Sequence, residues 1–326
     1  MATYKEIKGT RIQVLSSDPP APELGQVWYN SPGSAFKGFL LGAASWATGG
    51  TMNLPRVYLA GTGTQTAGLA LAGFRVAPNG RVADTEEYNG ASWTSGNNMP
   101  SIRDSGAGAG TQTAALMIGG FNPSNTTLNL TEEYNGASWS PGGNLPAGVQ
   151  MQGASGTQTA GLNFGGILPS PYTAVTNEYD GASWTAGGSL STARAYMAGS
   201  GPQTATFAAG GSSPAVGTTA ETEEYNGTSW SAGGDLNVAR RLTEGGGDSS
   251  SAFATSGSPS PTATEVYNGD TWSTSTAIPT GSSYAAGAGT QAAGLFFGGN
   301  GAPPGTTGAT FEFTGPAPAT KTISTS

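Results

Sequence analysis

The sequence predicts an all-β fold in which six four-stranded antiparallel sheets form a closed ring, that is, a six-bladed β-propeller. The stretch Thr-Glu-Glu-Tyr-Asn-Gly-Ala-Ser-Trp at 85–93 recurs at 131–139 and, with changes, at 176–184, 222–230 and 264–272. A period of roughly 20–50 residues is typical of solenoids, propellers and arrays. Helix formers are scarce, and no segment has convincing apolar spacing for a helix. Six tryptophans mark the period: Trp46, Trp93, Trp139, Trp184, Trp230 and Trp272.

The repeated stretch predicts a β-hairpin. Asn89-Gly90 lies between Tyr88 and Trp93, and this dipeptide tolerates the positive φ of a two-residue hairpin turn. Threonine, tyrosine and tryptophan favour a pleated, half-buried surface. Neighbouring residues on a strand point to opposite faces, so we expect Glu86 and Glu87 to meet different surroundings.

Two further strands precede each hairpin. The first is rich in alanine and glycine, which suit strands that crowd around an axis, and the second ends in most units at a Gly-Gly pair. The last unit ends at Phe311–Gly315 with no tryptophan after it, whereas Trp46 has no strands of its own before it. We therefore expect the Trp46 strand to complete the last sheet, which would remove an open edge.

The repeat divides the chain into three parts. Residues 1–35 do not fit it and are predicted to be an arm or attachment segment, with a strand over Ala2–Val14 and another over Gly25–Asn30. Residues 36–315 are predicted to form the propeller. Residues 316–326 are predicted to be a tail whose removal costs almost no stability.

Composition limits the chemistry. The 326 residues include no cysteine and no histidine, so we expect no disulfide, no thiol or imidazole metal site and no cofactor. A net charge of −8 argues against a nucleic-acid partner. The start of the chain has no apolar core typical of a secretion signal, and no apolar run approaches the ~20 residues of a membrane span, so no membrane partner is expected.

The units resemble kelch repeats, which build β-propellers. The resemblance rests on the Gly-Gly pair after the second strand, the tyrosine and tryptophan of the next hairpin, and an arginine at the start of the following unit. It covers 36–315, with a shorter Tyr–Trp spacing than kelch units usually have. Some kelch propellers are copper oxidases, but the histidine ligands and the cysteine cross-linked to tyrosine that such enzymes need are missing. We therefore expect a protein that is not an enzyme.

The N-terminal segment carries a second resemblance. Ile12–Pro19 followed by Gly25–Asn30 is similar to the start of virion structural and tail-fibre proteins of bacteriophages. This implies a virion location, contacts of residues 1–35 with other virion proteins, and a propeller that binds a host-surface glycan or protein, with homo-oligomers allowed. The alternatives are a cellular kelch-type scaffold, cytoplasmic or extracellular, that binds protein and, less favoured, a carbohydrate-active propeller enzyme.

The repeated charged and aromatic residues have a functional and a structural interpretation. Four arginines could imitate the arginine cluster of sialidases, or each could pair with a glutamate of its own repeat; the structural interpretation is favoured because Val149 and Ser282 occupy the same position elsewhere. The repeated tyrosines and tryptophans could stack on sugars, but regular copies favour core packing. The expected pairs are Arg56 with Glu86, Arg103 with Glu132, Arg194 with Glu223 and Arg240 with Glu265.

The connections between second and third strands differ in every unit, whereas the other turns are nearly identical. In a propeller these variable loops emerge on one face, and loops on a rigid scaffold often carry recognition. The alternative is that they vary because nothing constrains them. The loops are Arg75–Asp84, Asn122–Leu130, Ile167–Thr176, Ser212–Glu221, Gly257–Pro261 and Asn300–Ala309, and the candidate binding residues are Arg75, Arg81, Asn122, Tyr172 and Asn300.

Overall fold

Strands are the only regular secondary structure in residues 12–76, 80–169, 171–301 and 305–323, which are the residues that the computed structural model describes. None of them belongs to a helix that is long and apolar enough to cross a membrane. The chain forms two compact units: a terminal unit of Met1–Ala44 with Pro316–Ser326, and a repeat unit of Ser45–Gly315.

The strands have the following bounds. In the first third of the chain they are β1 Gln13–Leu15, β2 Val27–Asn30, β3 Ala35–Leu41, β4 Ser45–Thr48, β5 Ala60–Thr64, β6 Ala67–Leu71, β7 Phe74–Arg75, β8 Gly80–Arg81, β9 Thr85–Tyr88, β10 Trp93–Ser95, β11 Ala107–Thr111 and β12 Ala114–Ile118. In the second third they are β13 Thr131–Tyr134, β14 Trp139–Pro141, β15 Gly153–Thr157, β16 Ala160–Phe164, β17 Thr176–Tyr179, β18 Trp184–Ala186, β19 Ala198–Ser200, β20 Thr206–Ala209, β21 Ser212–Ser213 and β22 Gly217–Thr218. The rest are β23 Thr222–Tyr225, β24 Trp230–Ala232, β25 Glu244–Asp248, β26 Ser251–Thr255, β27 Thr264–Tyr267, β28 Trp272–Thr274, β29 Ala286–Gly289, β30 Ala293–Phe297, β31 Asn300–Gly301, β32 Gly305–Thr306, β33 Thr310–Thr314 and β34 Pro318–Ile323.

The repeat unit is built from four-stranded antiparallel sheets, as the sequence predicts. Each sheet takes its first, second, third and fourth strands in chain order, apart from the last sheet, whose fourth strand is β4. Repeats 1 to 6 are β5-β6-β9-β10, β11-β12-β13-β14, β15-β16-β17-β18, β19-β20-β23-β24, β25-β26-β27-β28 and β29-β30-β33-β4.

The predicted pairing of the Trp46 strand with the last repeat is present. β4 runs antiparallel to β33 and places Trp46 opposite Phe313, with ring centroids 4.9 Å apart. The first strands β5, β11, β15, β19, β25 and β29 lie side by side in this order, and β29 also lies against β5. They surround a channel lined mainly by glycine and alanine.

The hairpin between third and fourth strands differs from the predicted two-residue turn. Tyr88 is paired with Trp93, so four residues connect them. Only Gly90 of the Asn-Gly pair has a positive φ, +86°. The Asn89 side-chain oxygen accepts hydrogen bonds from the N–H groups of Ala91 and Ser92, both at 2.9 Å, and so closes a longer loop than the dipeptide indicates.

Neighbouring sheets are joined by side chains of the repeated motif. Glu86 and Glu87 do point to different surroundings: Glu86 pairs with Arg56, and Glu87 accepts a hydrogen bond of 2.6 Å from the Tyr134 hydroxyl of the next repeat. The Tyr88 hydroxyl donates to Glu312 at 2.6 Å, which joins repeat 1 to repeat 6. Equivalent hydrogen bonds join Tyr179 to Glu133, Tyr225 to Glu178 and Tyr267 to Glu224.

A glutamine after most first strands makes a second tie. The Gln112 Nε2 donates to the carbonyl oxygens of Gly68 and Tyr88, at 2.9 and 2.8 Å, in the preceding sheet. Gln65 does the same to Gly294 and Phe313 of repeat 6, at 3.0 and 2.8 Å. The turns at this end of the sheets are nearly identical because each must supply the same contact to its neighbour.

The predicted arginine–glutamate pairs are all present. The four arginine side chains are fully buried, and each contacts its glutamate within its own repeat. The two repeats without the arginine also lack the glutamate: Val149 accompanies Asn177, and Ser282 accompanies Phe311. A buried charge is costly unless it is paired, so the two positions change together.

The terminal unit is a four-stranded sheet in the order β1-β2-β3-β34. β1 runs parallel to β2, and the other neighbours are antiparallel. Asp18 accepts hydrogen bonds from Lys37, Asn30 and Trp28, and these lower the pKa of its carboxyl to about 2. This network orders the proline-rich segment against the buried Trp28 ring.

The boundaries of the terminal unit differ from those predicted. Residues 36–44 lie in the terminal unit and not in the repeat unit. Residues 316–326 were predicted to be a tail, yet β34 pairs along its whole length with β3, from Phe36 opposite Ile323 to Leu41 opposite Pro318. β34 is almost fully exposed, so backbone hydrogen bonds hold it without an apolar pattern. The predicted strand Ala2–Val14 appears as β1 at Gln13–Leu15, and residues 1–11 lie outside the described part.

The arginine–glutamate pair can be tested by giving repeat 2 the residues that repeat 3 has at these two positions, valine and asparagine. Arg103→Val alone should lower the free energy of unfolding by about 3–5 kcal/mol, because Glu132 would remain buried without a partner. The double change Arg103→Val with Glu132→Asn should cost clearly less than the two single changes combined. Urea denaturation of the four proteins measures this coupling, and additive costs would contradict it.

Removal of residues 316–326 should destabilise the terminal unit, contrary to the expectation from sequence. Loss of β34 leaves the β3 backbone groups unpaired, so amide hydrogen exchange of residues 36–41 should accelerate at least tenfold. Exchange in the repeat unit serves as the internal reference. A matched truncation of residues 324–326 alone should leave β3 exchange unchanged; equal exchange in both truncations would show that β34 contributes nothing.

Candidate binding site

One residue in the left-handed conformation precedes each first strand of the repeat unit. Non-glycine residues are uncommon there, and six at equivalent positions indicate a shared structural cause. They are Tyr58, Ser105, Met151, Tyr196, Leu242 and Tyr284, with φ between +55° and +61°. We call these six residues the collar.

The collar is joined by backbone hydrogen bonds from one repeat to the next. The N–H of Ser105 donates to the Tyr58 carbonyl at 2.9 Å, and the N–H of Met151 donates to Ser105 at 2.8 Å. Tyr196 and Leu242 continue the series at 3.0 and 2.8 Å, each donating to the preceding collar residue. The Tyr58 N–H donates to Tyr284 at 2.9 Å, which joins repeat 1 to repeat 6. The unfavourable φ turns each backbone group toward its neighbour.

Three tyrosines give the collar an aromatic rim. The rings of Tyr58 and Tyr284 lie 4.1 Å apart. Burial, followed by the hydrogen bond to Tyr284, raises the pKa of the Tyr58 hydroxyl, and burial also raises that of Tyr196. These hydroxyls therefore stay neutral at physiological pH and offer hydrogen bonds.

Among the described residues, Glu244 supplies the one carboxyl group that lines the channel beneath this rim. Two residues after the collar, five repeats have a small residue, and repeat 5 has Glu244; the small residues are Ala60, Ala107, Gly153, Ala198 and Ala286. Glu244 and the collar line a cavity of about 120 Å³. The Glu244 residue as a whole is partly exposed, whereas burial of its carboxyl group raises the pKa to about 8 although the Gly287 N–H donates to it. Among the described residues no lysine or arginine forms an ion pair with it.

The variable loops surround this opening. In each repeat the residue before the collar forms a β-bridge with a residue at the end of the second strand, where the variable loop begins. Two examples are Val57 with Phe74 and Asp104 with Phe121. The loops and the collar therefore share one end of the sheets, which we call the collar end; the glutamine turns lie at the other.

Two of the predicted binding residues are engaged inside the protein. Arg75 pairs with Asp84 of its own loop. Arg81 lies 3.0 Å from the Asp104 carboxylate, and its guanidinium stands 4.8 Å from the centre of the Phe121 ring in repeat 2. Both arginines are half-buried, so they order the loops as well as lining the surface.

The other three predicted binding residues also belong to the variable loops around the channel opening. The Asn122 side chain accepts a hydrogen bond of 2.9 Å from Thr126 N–H and so shapes its own loop. Tyr172 forms a bridge with Ile167 and acts electrostatically on Tyr196 of the collar. Asn300 is exposed and bridges to Ser283, the residue before Tyr284. Residues 77–79, 170 and 302–304 of these loops lie outside the described part.

Sequence reasoning missed the channel itself. The collar tyrosines and Glu244 were not selected, although an internal alignment shows a charged residue at a position that is otherwise alanine or glycine. The repeated tyrosines Tyr88, Tyr134, Tyr179, Tyr225 and Tyr267 are at most 1 % exposed, so they pack between sheets. In the described residues no cluster of three or more histidine, cysteine, aspartate or glutamate side chains could hold a metal ion.

The buried carboxyl group makes stability depend on pH. The folded-state pKa of Glu244, about 8, lies above the ordinary value of 4.5, so the folded protein binds an extra proton between these values. Its favourable contribution is complete below about pH 4.5 and is lost as the pH rises through 8. Glu244→Ala, which restores the residue of the other repeats, should gain about 2–4 kcal/mol of unfolding free energy over wild type between pH 5 and 9.

Urea denaturation of both proteins across this pH range measures the difference. Glu221→Gln, which removes a half-exposed carboxylate at the collar end, is the control and should show no such pH dependence. A constant difference between Glu244→Ala and wild type would mean that Glu244 ionises normally in the folded protein.

Comparison with known proteins shows a shared fold. No protein-family model matches the sequence, and no curated protein matches it. A solved structure described as "Structure of YjhT" superposes with a TM-score of 0.67 at 13 % sequence identity, covering 83 % of this chain and 99 % of that one. At this identity the similarity concerns the fold alone.

Proposed function

We propose that the repeat unit is a six-bladed, kelch-like β-propeller that acts as a non-enzymatic recognition module on a bacteriophage virion. In this proposal the collar end binds a host-surface glycan or protein. The terminal unit attaches the chain to other virion proteins, as part of a tail fibre or the capsid surface. The distribution of exposed apolar side chains carries the recognition part of the proposal.

All the exposed large apolar residues of the described repeat unit belong to segments at the collar end. Val76, Val175 and Val216 lie in variable loops and are 46–66 % exposed. Ile102 and Val238 lie in the segments that lead into the collar and are 40–48 % exposed. Exposed apolar side chains that gather on one surface are typical of an interaction site.

The propeller and the kelch resemblance are supported by the packing. Six sheets follow one another around the channel, and the first strand of the last lies against the first strand of the first. The residues that carry the resemblance have structural roles: Arg103 is buried, and Gly119 and Gly120 have positive φ. The Trp139 indole donates to Thr85 of the preceding sheet at 3.1 Å.

The virion part of the proposal rests on the resemblance of residues 12–30 to phage structural proteins. The terminal unit exposes a second set of apolar side chains that suits an attachment surface: Ile12, Val14, Leu24, Phe36 and Leu41. An attachment segment needs such a surface, because contact with another protein must remove apolar area from water.

Binding at the collar end can be tested with a triple substitution. Val76, Val175 and Val216 changed to serine should lower the binding of the purified, labelled protein to host cells at least tenfold, since the apolar contacts are lost. The matched control changes exposed residues at the opposite end, Thr64, Thr111 and Thr157, to serine and should bind as wild type does.

Circular dichroism should show that both variants remain folded. Equal binding by both would contradict recognition at the collar end. Mass spectrometry of purified particles tests the location separately: the protein should be present in stoichiometric amounts, and its confinement to the cytoplasm of cells would favour a cellular scaffold.

A further inference from the structure

The carboxyl group in the channel is the feature of the repeat unit that the packing does not explain. Its position in the other five repeats is held by alanine or glycine, which the crowded axis favours. The neighbouring strand leaves little room here: a Cβ added to Gly287 would lie 3.1 Å from the Cβ of Glu244. Glu244 therefore occupies space and loses hydration where a methyl group would fit without cost.

The surroundings of Glu244 determine which chemistry it suits. Tyr58, Tyr196 and Tyr284 line the mouth of the same cavity with aromatic rings and hydroxyl groups. The strands packed against β25 are β19, β26, β29 and β30, and none carries an acidic or basic side chain. Arg241 acts electrostatically on Tyr196 and is the cation nearest to the rim in sequence. A carboxyl group beside aromatic rings, with no ion-pair partner in the described part of the chain, favours a cationic guest.

We propose that the channel mouth binds one cationic group, a guanidinium or primary ammonium at the end of a flexible chain, with Glu244 as its counter-ion and the collar tyrosines as its walls. A cavity of about 120 Å³ suits such a head group. The identity of the natural guest rests on the proposed recognition role: the cation would be a lysine or arginine side chain of the protein that the collar end binds. The binding itself is independent of the variable loops.

Binding of a cation is coupled to loss of a proton from Glu244. With a pKa of about 8, the carboxyl is mostly neutral at pH 6 and mostly charged at pH 9. A guanidinium stays charged throughout this range, so only Glu244 changes. The affinity for guanidinium should therefore rise with pH, roughly tenfold for each unit below the pKa, and level off above it.

Titration with methylguanidinium, followed by the NMR signals of the full-length protein, tests the proposal. Wild type should bind at least tenfold more tightly at pH 9 than at pH 6, with shifts at the collar residues. Glu244→Ala should fold well, because it restores the residue of the other repeats, and should not bind. Glu221→Gln removes the same charge outside the channel and should bind as wild type does.

Several results would overturn the proposal. They are no binding by wild type, binding retained by Glu244→Ala, equal loss in Glu221→Gln, or equal binding of urea, the neutral analogue of guanidinium. The valine-to-serine triple variant separates this site from the proposed surface. It should bind methylguanidinium as wild type does even when it no longer binds cells, so failure of the proposed surface and failure of the cation site can be told apart.

Discussion

The crowding of six first strands around one channel is the constraint on which the rest of the repeat unit depends. A Cβ on Gly108 would lie 2.9 Å from the Gly61 carbonyl oxygen, so the strands can approach this closely only where glycine occupies the contact position. Strands made of glycine and alanine bury little apolar surface and cannot hold neighbouring sheets together by themselves. Apolar packing between sheets comes instead from the second strands and the repeated aromatic residues, as where Trp93 of repeat 1 lies 4.8 Å from Phe297 of repeat 6. The collar, the glutamine turns and the Tyr–Glu and Trp–Thr hydrogen bonds add polar contacts between the same sheets.

These contacts between neighbouring sheets explain why the same motif recurs in the repeats. Tyr134 is buried against the preceding sheet, where its hydroxyl donates to Glu87. Gln112 donates to two backbone carbonyl groups of that same sheet. The same contacts join repeat 1 to repeat 6 through Tyr88 and Gln65. Each repeat must therefore match both neighbours, and a change in one motif residue affects two sheets.

Internal repetition made the sheets predictable from sequence, because strand order, the Trp46 pairing and the Arg–Glu ties all follow from residues that recur. Three features could not be predicted for a physical reason. The left-handed φ of Tyr58 depends on the carbonyl of Tyr284, which is distant in sequence. β34 is exposed and is held through its backbone, so no side-chain pattern marks it. The Asn89 side chain closes the turn after Tyr88 by accepting a backbone hydrogen bond from Ala91, so the turn is longer than its Asn-Gly pair predicts.

Departures from the repeat then become the best guide to function, because the repeat itself is accounted for by packing. Where Arg103 and Glu132 are replaced elsewhere in the chain, both change together, as a structural pair requires. Glu244 is different: it stands opposite Thr255, no arginine or lysine of the described residues pairs with it, and burial makes a carboxylate unfavourable at its position. A residue that costs stability and has no partner of opposite charge is expected at functional sites rather than in scaffolds. The same reasoning distinguishes the collar end, where loops differ and apolar side chains are exposed, from the opposite end, where the glutamine turns contact the preceding sheet.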